Sequence, residues 1–218
     1  MLKAVIFDMD GVLIDSEPLH FTAIESVLRK YGIEIAPDFL DQFVGDTNER
    51  VWASVKERFL QLNKPITDYI AEQLEHTLIH LRKDNYQPIA GVLDLLETIQ
   101  KNDLAIGLAS SSPPVIISNF IDHLKLKPYI GQWVSGNEVE ESKPAPFIYL
   151  KAAERLHISP EEGVAVEDSF FGVTAAKAAG LKCIGYQNPE AIAQDLSQAD
   201  AIVQRMEDIT LQLLYSLF

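Results

Sequence analysis

The sequence is poor in the features that several classes of protein require. Among its 218 residues it has one cysteine, Cys183, so neither an intrachain disulfide nor a cluster of thiolate metal ligands can form. No apolar run approaches the ~18 residues of a membrane-spanning helix, and no basic segment followed by an apolar leader opens the chain. We therefore expect a cytoplasmic, soluble protein with no membrane partner.

Positive charge is also scarce. The chain has 18 Lys and Arg against 32 Asp and Glu, a net charge of −14 at pH 7, and its cations form no dense stripe. Because binding to nucleic-acid phosphates needs clustered cations, we expect no nucleic-acid partner. A small phosphorylated metabolite can bind so acidic a chain only where a metal ion and a few cations reverse the local field.

The apolar residues recur in short runs that predict an α/β fold. The first run is 4–7, and helical spacing separates the runs after residue 90, which are 104–109, 133–135, 163–167, 182–186 and 201–203. Alternating strands and helices predict a doubly wound, Rossmann-like parallel sheet with right-handed crossovers. With 47 % hydrophobic residues the chain can bury a full core.

Residues 16–85 have a different pattern. Apolar residues repeat there at helical spacing, and no convincing strand occurs. Asp46 followed by Glu49 fits a capping box at the start of one of these helices. We therefore expect a catalytic α/β core made of residues 1–15 plus 86–218, interrupted by an inserted α-helical cap domain.

The first apolar run ends in two aspartates, Asp8 and Asp10, followed by Gly11. Side chains at i and i+2 of an extended segment point the same way, so the two carboxylates should lie on one side of the strand end. At an effective dielectric near 20, charges about 4 Å apart repel by roughly 4 kcal/mol. A cation must offset this repulsion.

Polar residues also end or follow the other apolar runs. Open α/β sheets bind ligands at the carboxyl ends of their strands, so these side chains should converge. Carboxylates beside a hydroxyl and an ammonium suit Mg²⁺ next to a phosphate, because Mg²⁺ prefers oxygen ligands. The residues are Ser110, Ser111, Ser112, Lys143, Glu167 and Asp168.

This set matches the needs of phosphoryl transfer, which are a nucleophile, charge neutralisation and a proton for the leaving group. Asp8 can act as the nucleophile, and Asp10 can protonate the leaving oxygen and later activate water. Lys143 would pair with Asp8 and the phosphate. Ser110 would donate to a phosphoryl oxygen, and Asp168 would hold the metal.

The same residues resemble the haloacid dehalogenase-like hydrolases. The resemblance covers essentially the whole chain and includes DMDGV at 8–12, Ser110, Lys143 in SKPAP and the acidic pair in VEDSFFG. DSEPLH with a helical insert is similar to the branch that contains β-phosphoglucomutase and sugar-phosphate phosphatases. The resemblance implies metal ligation by the Asp8 side chain, the Asp10 backbone carbonyl and the acidic pair. Those ligands are Asp8, Asp10, Asp168 and Glu167.

From these residues we expect a Mg²⁺-dependent phosphatase, a monomer that acts on a small phosphomonoester such as a sugar phosphate. One alternative is a β-phosphoglucomutase with the same aspartyl-phosphate chemistry, and a remote one is a non-catalytic phosphate sensor. The expected substrate- and phosphate-binding residues are Gly11, Ser110, Ser111, Lys143 and His20.

Some of these predicted site residues could instead have a purely structural role. Ser110 could belong to a loop before a helix, and Glu167 could orient its neighbours without contacting the metal. His20 could be a helix residue that faces the interior of the cap.

The chain departs from the mutase pattern in four places, and two of these remove cations from the cap. That pattern has a lysine and an arginine in the segment FVGDTNER, where this chain has Val44 and Asn48. Arg50 lies two residues after Asn48, which on a helix is a rotation of roughly 200° about the axis. Arg50 is therefore an uncertain substitute for the missing cations. The loss of cations for a second phosphate favours hydrolysis over isomerisation.

Overall fold

The computed structural model describes residues 1–43, 47–84, 86–189 and 191–218 of the chain. In these residues six parallel strands form one sheet with the order β3-β2-β1-β4-β5-β6. The strands are β1 (Ala4–Phe7), β2 (Ala105–Ser110), β3 (Gln132–Ser135), β4 (Gly163–Glu167), β5 (Lys182–Tyr186) and β6 (Ala201–Val203).

Helices connect the strands and fill the segment after β1. They are α1 (Glu17–Lys30), α2 (Asn48–Arg58), α3 (Ile66–Lys83), α4 (Val92–Lys101), α5 (Pro114–His123), α6 (Phe147–Arg155), α7 (Phe170–Ala178) and α8 (Leu211–Ser216). No helix in the part of the chain that the structure describes is both long and apolar enough to cross a membrane.

The strand order confirms the predicted doubly wound α/β fold. From β1 the chain moves outward to β2 and β3, and from β3 it crosses back to β4, β5 and β6. Right-handed crossovers in opposite directions put helices on both faces of the sheet. The direction reverses beside β1, where such sheets have their ligand-binding crevice.

Strand burial explains why the apolar runs could be read from the sequence. All residues of β1 and β4 are buried, as expected for a sheet that is covered on both faces. The strand β2 lies one residue later than the predicted run, so Ser110 is its last residue rather than the first residue of the loop.

The chain divides into two compact units, Met1–Asp15 with Gln87–Phe218 and Ser16–Tyr86. The first unit contains the sheet. The second contains α1, α2 and α3 around a core in which Trp52 and Tyr69 stack with ring centroids 5.2 Å apart. The capping residue predicted at Asp46 lies outside the described residues. Helix α2 has Thr47 as its N-cap, and the Thr47 side chain accepts a hydrogen bond from the Arg50 amide.

Glu72 on α3 joins three partners within the helical unit. Its carboxylate accepts hydrogen bonds from Lys30 at 2.8 Å, Tyr31 at 2.7 Å and Lys64 at 2.9 Å. Burial disfavours the charged form, but the hydrogen bonds from these partners outweigh burial and lower the pKa of Glu72 to about 2. The ionised carboxylate therefore ties the end of α1 and the segment before α3 to the middle of α3.

Replacement of Glu72 by Gln should lower the melting temperature at pH 6 by about 2–4 °C, because the amide keeps the shape and loses the charge. The usual pKa of 4.5 falls to about 2 in the folded protein, so the wild-type advantage should be complete above pH 4.5. It should shrink as the pH falls toward 2. Thermal melts at several pH values measure this, with the exposed Glu75→Gln on the same helix as control. An advantage that is independent of pH would contradict the assignment.

Candidate active site

Three strand ends bring the predicted site residues together at the carboxyl edge of the sheet. In the pairing register Phe7 of β1 lies opposite Leu108 of β2 on one side and Val166 of β4 on the other. Asp8 follows Phe7 directly, and Glu167 follows Val166. The parallel register therefore places these two carboxylates at the same level of the sheet.

Lys143, which we predicted to pair with Asp8, lies between Asp8 and Glu167. Its ammonium donates to Asp8 Oδ1 at 2.8 Å, to Glu167 Oε1 at 2.6 Å and to the Ala109 carbonyl at 3.1 Å. The Lys143 side chain is 7 % exposed, so these contacts replace its hydration almost completely. One buried ammonium thus joins the ends of β1, β2 and β4.

Tyr149 on α6 completes the surroundings of Lys143 and Glu167. Its hydroxyl donates to Glu167 Oε1 at 2.6 Å, and its ring lies 5.3 Å from the Lys143 ammonium, measured to the centroid. The second oxygen of Glu167 accepts from the Ser169 hydroxyl at 3.3 Å. Glu167 is fully buried, and whether it contacts a metal ion or only orients its neighbours stays a prediction.

Negative charge exceeds positive charge in this cluster. Burial, with the nearby carboxylates Glu167 and Asp10, raises the pKa of Asp8 to about 7 although Lys143 opposes the rise. Burial also raises the pKa of Asp168, helped by Glu167 and Asp8. Burial alone would lower the pKa of Lys143, but Asp8 and Glu167 outweigh it and raise that pKa. Lys143 therefore remains charged while the carboxylates compete for one cation.

The carboxylates fit a divalent metal ion. Asp8, Glu167 and Asp168 each offer an oxygen within 4.8 Å of the others. Three carboxylates beside one ammonium leave two negative charges uncompensated when all are ionised, and a divalent cation would balance them. An oxygen-only donor set is the one that Mg²⁺ prefers.

Position 11, beside this carboxylate cluster, requires a glycine. Its φ of +74° lies in the left-handed region, and a Cβ at this position would come within 1.9 Å of Asp168 Oδ2. The backbone after β1 therefore passes directly against the carboxylate that follows β4. We predicted Gly11 as a phosphate-binding residue, and the structure places it beside Asp168.

Asp10 has different surroundings from Asp8. The Ser112 hydroxyl donates to Asp10 Oδ2 at 3.0 Å, and the Ser110 hydroxyl lies 3.4 Å from the same oxygen. The predicted residues Asp10 and Ser110 thus come together, and the structure adds Ser112 to them. Ser111 is exposed, and its backbone packs against Gly136 at the end of β3.

His20 belongs to the helical unit, where it lies on α1 and is half-buried. Its predicted role in substrate binding stays a prediction. Arg50, considered above as a substitute for the cations of the mutase pattern, lies on α2.

The sequence reading missed Tyr149 and gave Ser112 no role. Tyr149 lies six residues after Lys143 on a helix, and no strand-end pattern points to it. The only indication was general: a buried tyrosine hydroxyl needs a partner. Ser112 stands two residues after Ser110, the spacing that joins Asp8 to Asp10, and this repeat was a usable indication.

Replacement of Gly172 by Ala tests how closely the backbone of α7 packs on Glu167. A Cβ at Gly172 would lie 2.0 Å from the Glu167 carboxyl carbon. Alanine normally favours a helix over glycine, so the sign of the effect is informative. We expect a loss of about 1–3 kcal/mol in the free energy of unfolding, as in other overpacked sites. Chemical denaturation measures it, and Gly131→Ala, with open space around it, is the control. A Gly172→Ala variant as stable as wild type would contradict this geometry.

The chain is similar to known proteins along most of its length. Residues 5–186 match the family of haloacid dehalogenase-like hydrolases. A protein named phosphorylated carbohydrates phosphatase from Thermotoga maritima is 35 % identical over 186 residues, which are 84 % of each chain. β-Phosphoglucomutase from Bacillus subtilis is 30 % identical over 225 residues, covering 98 % of this chain and 94 % of that protein.

A solved structure is similar over the full length. A crystal structure from Thermotoga maritima, provisionally assigned as a β-phosphoglucomutase, has a TM-score of 0.83 and 31 % identity, and the alignment covers 100 % of both chains. The match supports the same fold throughout, and it confirms the resemblance found in the sequence. The chain is therefore an enzyme that belongs to the haloacid dehalogenase-like hydrolases.

Proposed function

We propose that the chain is a Mg²⁺-dependent phosphatase that hydrolyses a small phosphomonoester, of the sugar-phosphate class, through an aspartyl-phosphate formed on Asp8. The observation that carries this proposal is the 2.8 Å contact between the buried Lys143 ammonium and the Asp8 carboxylate, with Asp10 two residues away. A non-catalytic phosphate sensor would not need the separate acid that Asp10 provides.

In the first half of the reaction the Asp8 carboxylate attacks phosphorus. The bond from phosphorus to the leaving oxygen breaks, and Asp10 gives that oxygen a proton, so a neutral alcohol departs. Lys143 orients Asp8 and offsets negative charge near the phosphoryl group. Ser110, at the end of β2, donates to a phosphoryl oxygen.

In the second half water attacks the aspartyl-phosphate. Asp10, now a carboxylate, takes a proton from that water, and the bond between Asp8 and phosphorus breaks to release inorganic phosphate. Asp10 therefore ends protonated and Asp8 ends ionised, as they began.

The Asp8 and Asp168 carboxylates and the Asp10 backbone carbonyl would hold Mg²⁺. When bound, Mg²⁺ supplies charge neutralisation at the phosphoryl oxygens. Glu167 would contribute mainly by orienting Lys143, since its Oε1 already accepts from Lys143 and Tyr149.

Hydrolysis is favoured over isomerisation, although relatives of both kinds exist. Isomerisation of a sugar phosphate through a bisphosphate needs a cation for the second phosphate. The chain has Asn48 at one position where the mutase pattern has a cation, and the Asn48 side chain accepts a hydrogen bond from Gln73 at 3.1 Å. The other position, Val44, lies outside the described residues. A role of the helical unit as a cap that selects the substrate stays a prediction.

A substrate panel tests the proposal. With Mg²⁺ we expect phosphate release from hexose, pentose or three-carbon phosphates, and loss of turnover in Asp8→Asn, since the amide has nearly the same shape and is a poor nucleophile. The protein should convert β-glucose 1-phosphate to glucose 6-phosphate negligibly even with glucose 1,6-bisphosphate. Asp8→Asn activity within about tenfold of wild type would remove the nucleophile assignment, because covalent catalysis cannot proceed without it. Isomerisation faster than phosphate release would replace the phosphatase with a mutase.

Stabilisation by Mg²⁺ should depend on pH. The pKa of Asp8 rises from 3.8 to about 7 in the metal-free protein, so folding takes up a proton there and stability falls as the pH rises through this range. Mg²⁺ binds the ionised carboxylate, so its stabilisation should be larger at pH 8 than at pH 5.5. At a hundredfold excess over Kd it would reach about 2.7 kcal/mol. Thermal melts with EDTA and with Mg²⁺ measure this, and Asp8→Asn should lose the part of the pH dependence that Asp8 contributes, while Asp168, whose pKa burial also raises, should keep a smaller part. Equal melting temperatures with and without Mg²⁺ at pH 8 would contradict metal binding.

A further inference from the structure

Ser112 makes the better of the two hydroxyl contacts to Asp10. Its Oγ lies 3.0 Å from Asp10 Oδ2, within the usual range for an O–H···O hydrogen bond, whereas Ser110 Oγ lies at 3.4 Å, outside it. While Asp10 is ionised, between the two halves of the reaction, this bond is charge-assisted and therefore stronger than a neutral one. Ser112 is therefore the better placed of the two to fix the Asp10 side chain.

The backbone of Ser112 is held on both sides. Its amide donates to Ser110 Oγ at 3.0 Å, and its carbonyl accepts from Ser135 Oγ at 2.7 Å. Ser135 is fully buried at the end of β3, and its oxygen also accepts from the Asn137 amide. The hydroxyl of Ser112 thus extends from a fixed turn that ties the ends of β2 and β3.

Ser112 does not serve the helix that follows it. A serine just before a helix commonly caps the helix by accepting from an amide in the first turn. Helix α5 has Pro113 as its N-cap, and no side-chain cap is formed there in the described part of the chain. The Ser112 hydroxyl instead donates to Asp10, which lies 102 residues away in sequence.

We propose that Ser112 is a positioning residue for the acid–base step: its hydroxyl bonds to Oδ2 of Asp10 and so orients the carboxyl group that gives and takes the proton. The inference rests on the proposed function and deepens it. When the bond from phosphorus to the leaving oxygen breaks, the Asp10 proton moves to that oxygen. When water attacks the aspartyl-phosphate, the water proton returns to Asp10.

Loss of the contact between Ser112 and Asp10 should slow proton transfer and leave substrate binding unchanged. The terminal torsion of an aspartate is broad, so without Ser112 the carboxyl group can rotate and spend less time in the productive orientation. An alkyl leaving group needs the proton, whereas an aryl leaving group such as p-nitrophenolate departs with little help. In the first half of the reaction Ser112 should therefore matter for alkyl phosphates and much less for aryl phosphates.

The test compares Ser112→Ala with wild type on p-nitrophenyl phosphate and on the best alkyl substrate of the panel. General acid catalysis contributes about 10²–10⁴-fold, so a misplaced acid should lower kcat/KM for the alkyl substrate by roughly tenfold or more. On the aryl substrate kcat/KM should stay within about threefold, because kcat/KM reports the steps up to formation of the aspartyl-phosphate and excludes its hydrolysis, in which Asp10 serves both substrates alike. Ser112→Thr, which keeps a hydroxyl, should restore most of the alkyl activity.

Two further variants separate positioning from a structural effect. Ser118→Ala removes a serine hydroxyl of α5 that bonds to its own helix at Val115, and it should behave as wild type. In an Asp10→Asn background Ser112→Ala should add no further loss to the alkyl-to-aryl ratio, because there is no acid left to position. A structural defect would lower both backgrounds and both substrates alike.

The outcomes distinguish this inference from the proposed function. Equal losses of kcat/KM on the two substrates, or no loss at all, would overturn the role of Ser112 while Asp8-dependent hydrolysis by wild type still supported the phosphatase. A crystal structure of Ser112→Ala with Asp10 in an unchanged position would also overturn it. If Asp8→Asn turned over as fast as wild type, the proposed function and this inference would fail together.

Discussion

The site depends on one buried ammonium shared between two carboxylates. Lys143 contacts Asp8 and Glu167 at 2.8 and 2.6 Å from a position almost without solvent. Taking three charges out of water is costly, and such a group is stable only when every partner stays in place. Removing one partner of a buried pair typically costs about 3–5 kcal/mol, since the remaining charge is left uncompensated. The ends of β1, β2 and β4 are therefore held in register by the requirement that Lys143 be fully coordinated.

The small and polar residues around Lys143 follow from that requirement. Gly172 leaves room for the Glu167 carboxylate, and Gly11 leaves room for Asp168. The Tyr149 hydroxyl satisfies Glu167 while its ring faces the ammonium. Each of these positions serves a carboxylate rather than the apolar core. They tolerate little change, because a buried polar group without its partners costs more than its bond contributes.

Much of the fold and of the site could be predicted, because the fold depends on the periodicity of apolar residues and the site on the polar residues that end or follow each strand. Buried parallel strands are short continuous apolar runs, so β1 to β6 could be placed to within a residue, and the carboxyl-end rule gathered Asp8, Lys143 and Glu167. Tyr149 could not be found this way, because its contact depends on how α6 packs on the sheet. For the same reason periodicity did not reveal that the buried face of α3 contains Gln73, which accepts from the Trp52 indole at 2.7 Å.

The two aspartates after β1 acquire different chemistry from different neighbours. Asp8 lies against an ammonium, whereas Asp10 lies against hydroxyls. In the proposed mechanism the ammonium would orient the Asp8 carboxylate for attack, and the hydroxyls would orient Asp10 and leave its proton transferable. Spacing alone made the pair look like a source of repulsion, and Asp10 does raise the pKa of Asp8. The repulsion is tolerated because the strand order puts a cation-bearing loop beside one carboxylate and a serine turn beside the other. A chain with the same two aspartates at an edge strand would lack one of these neighbours, so the central position of β1 is itself part of the chemistry.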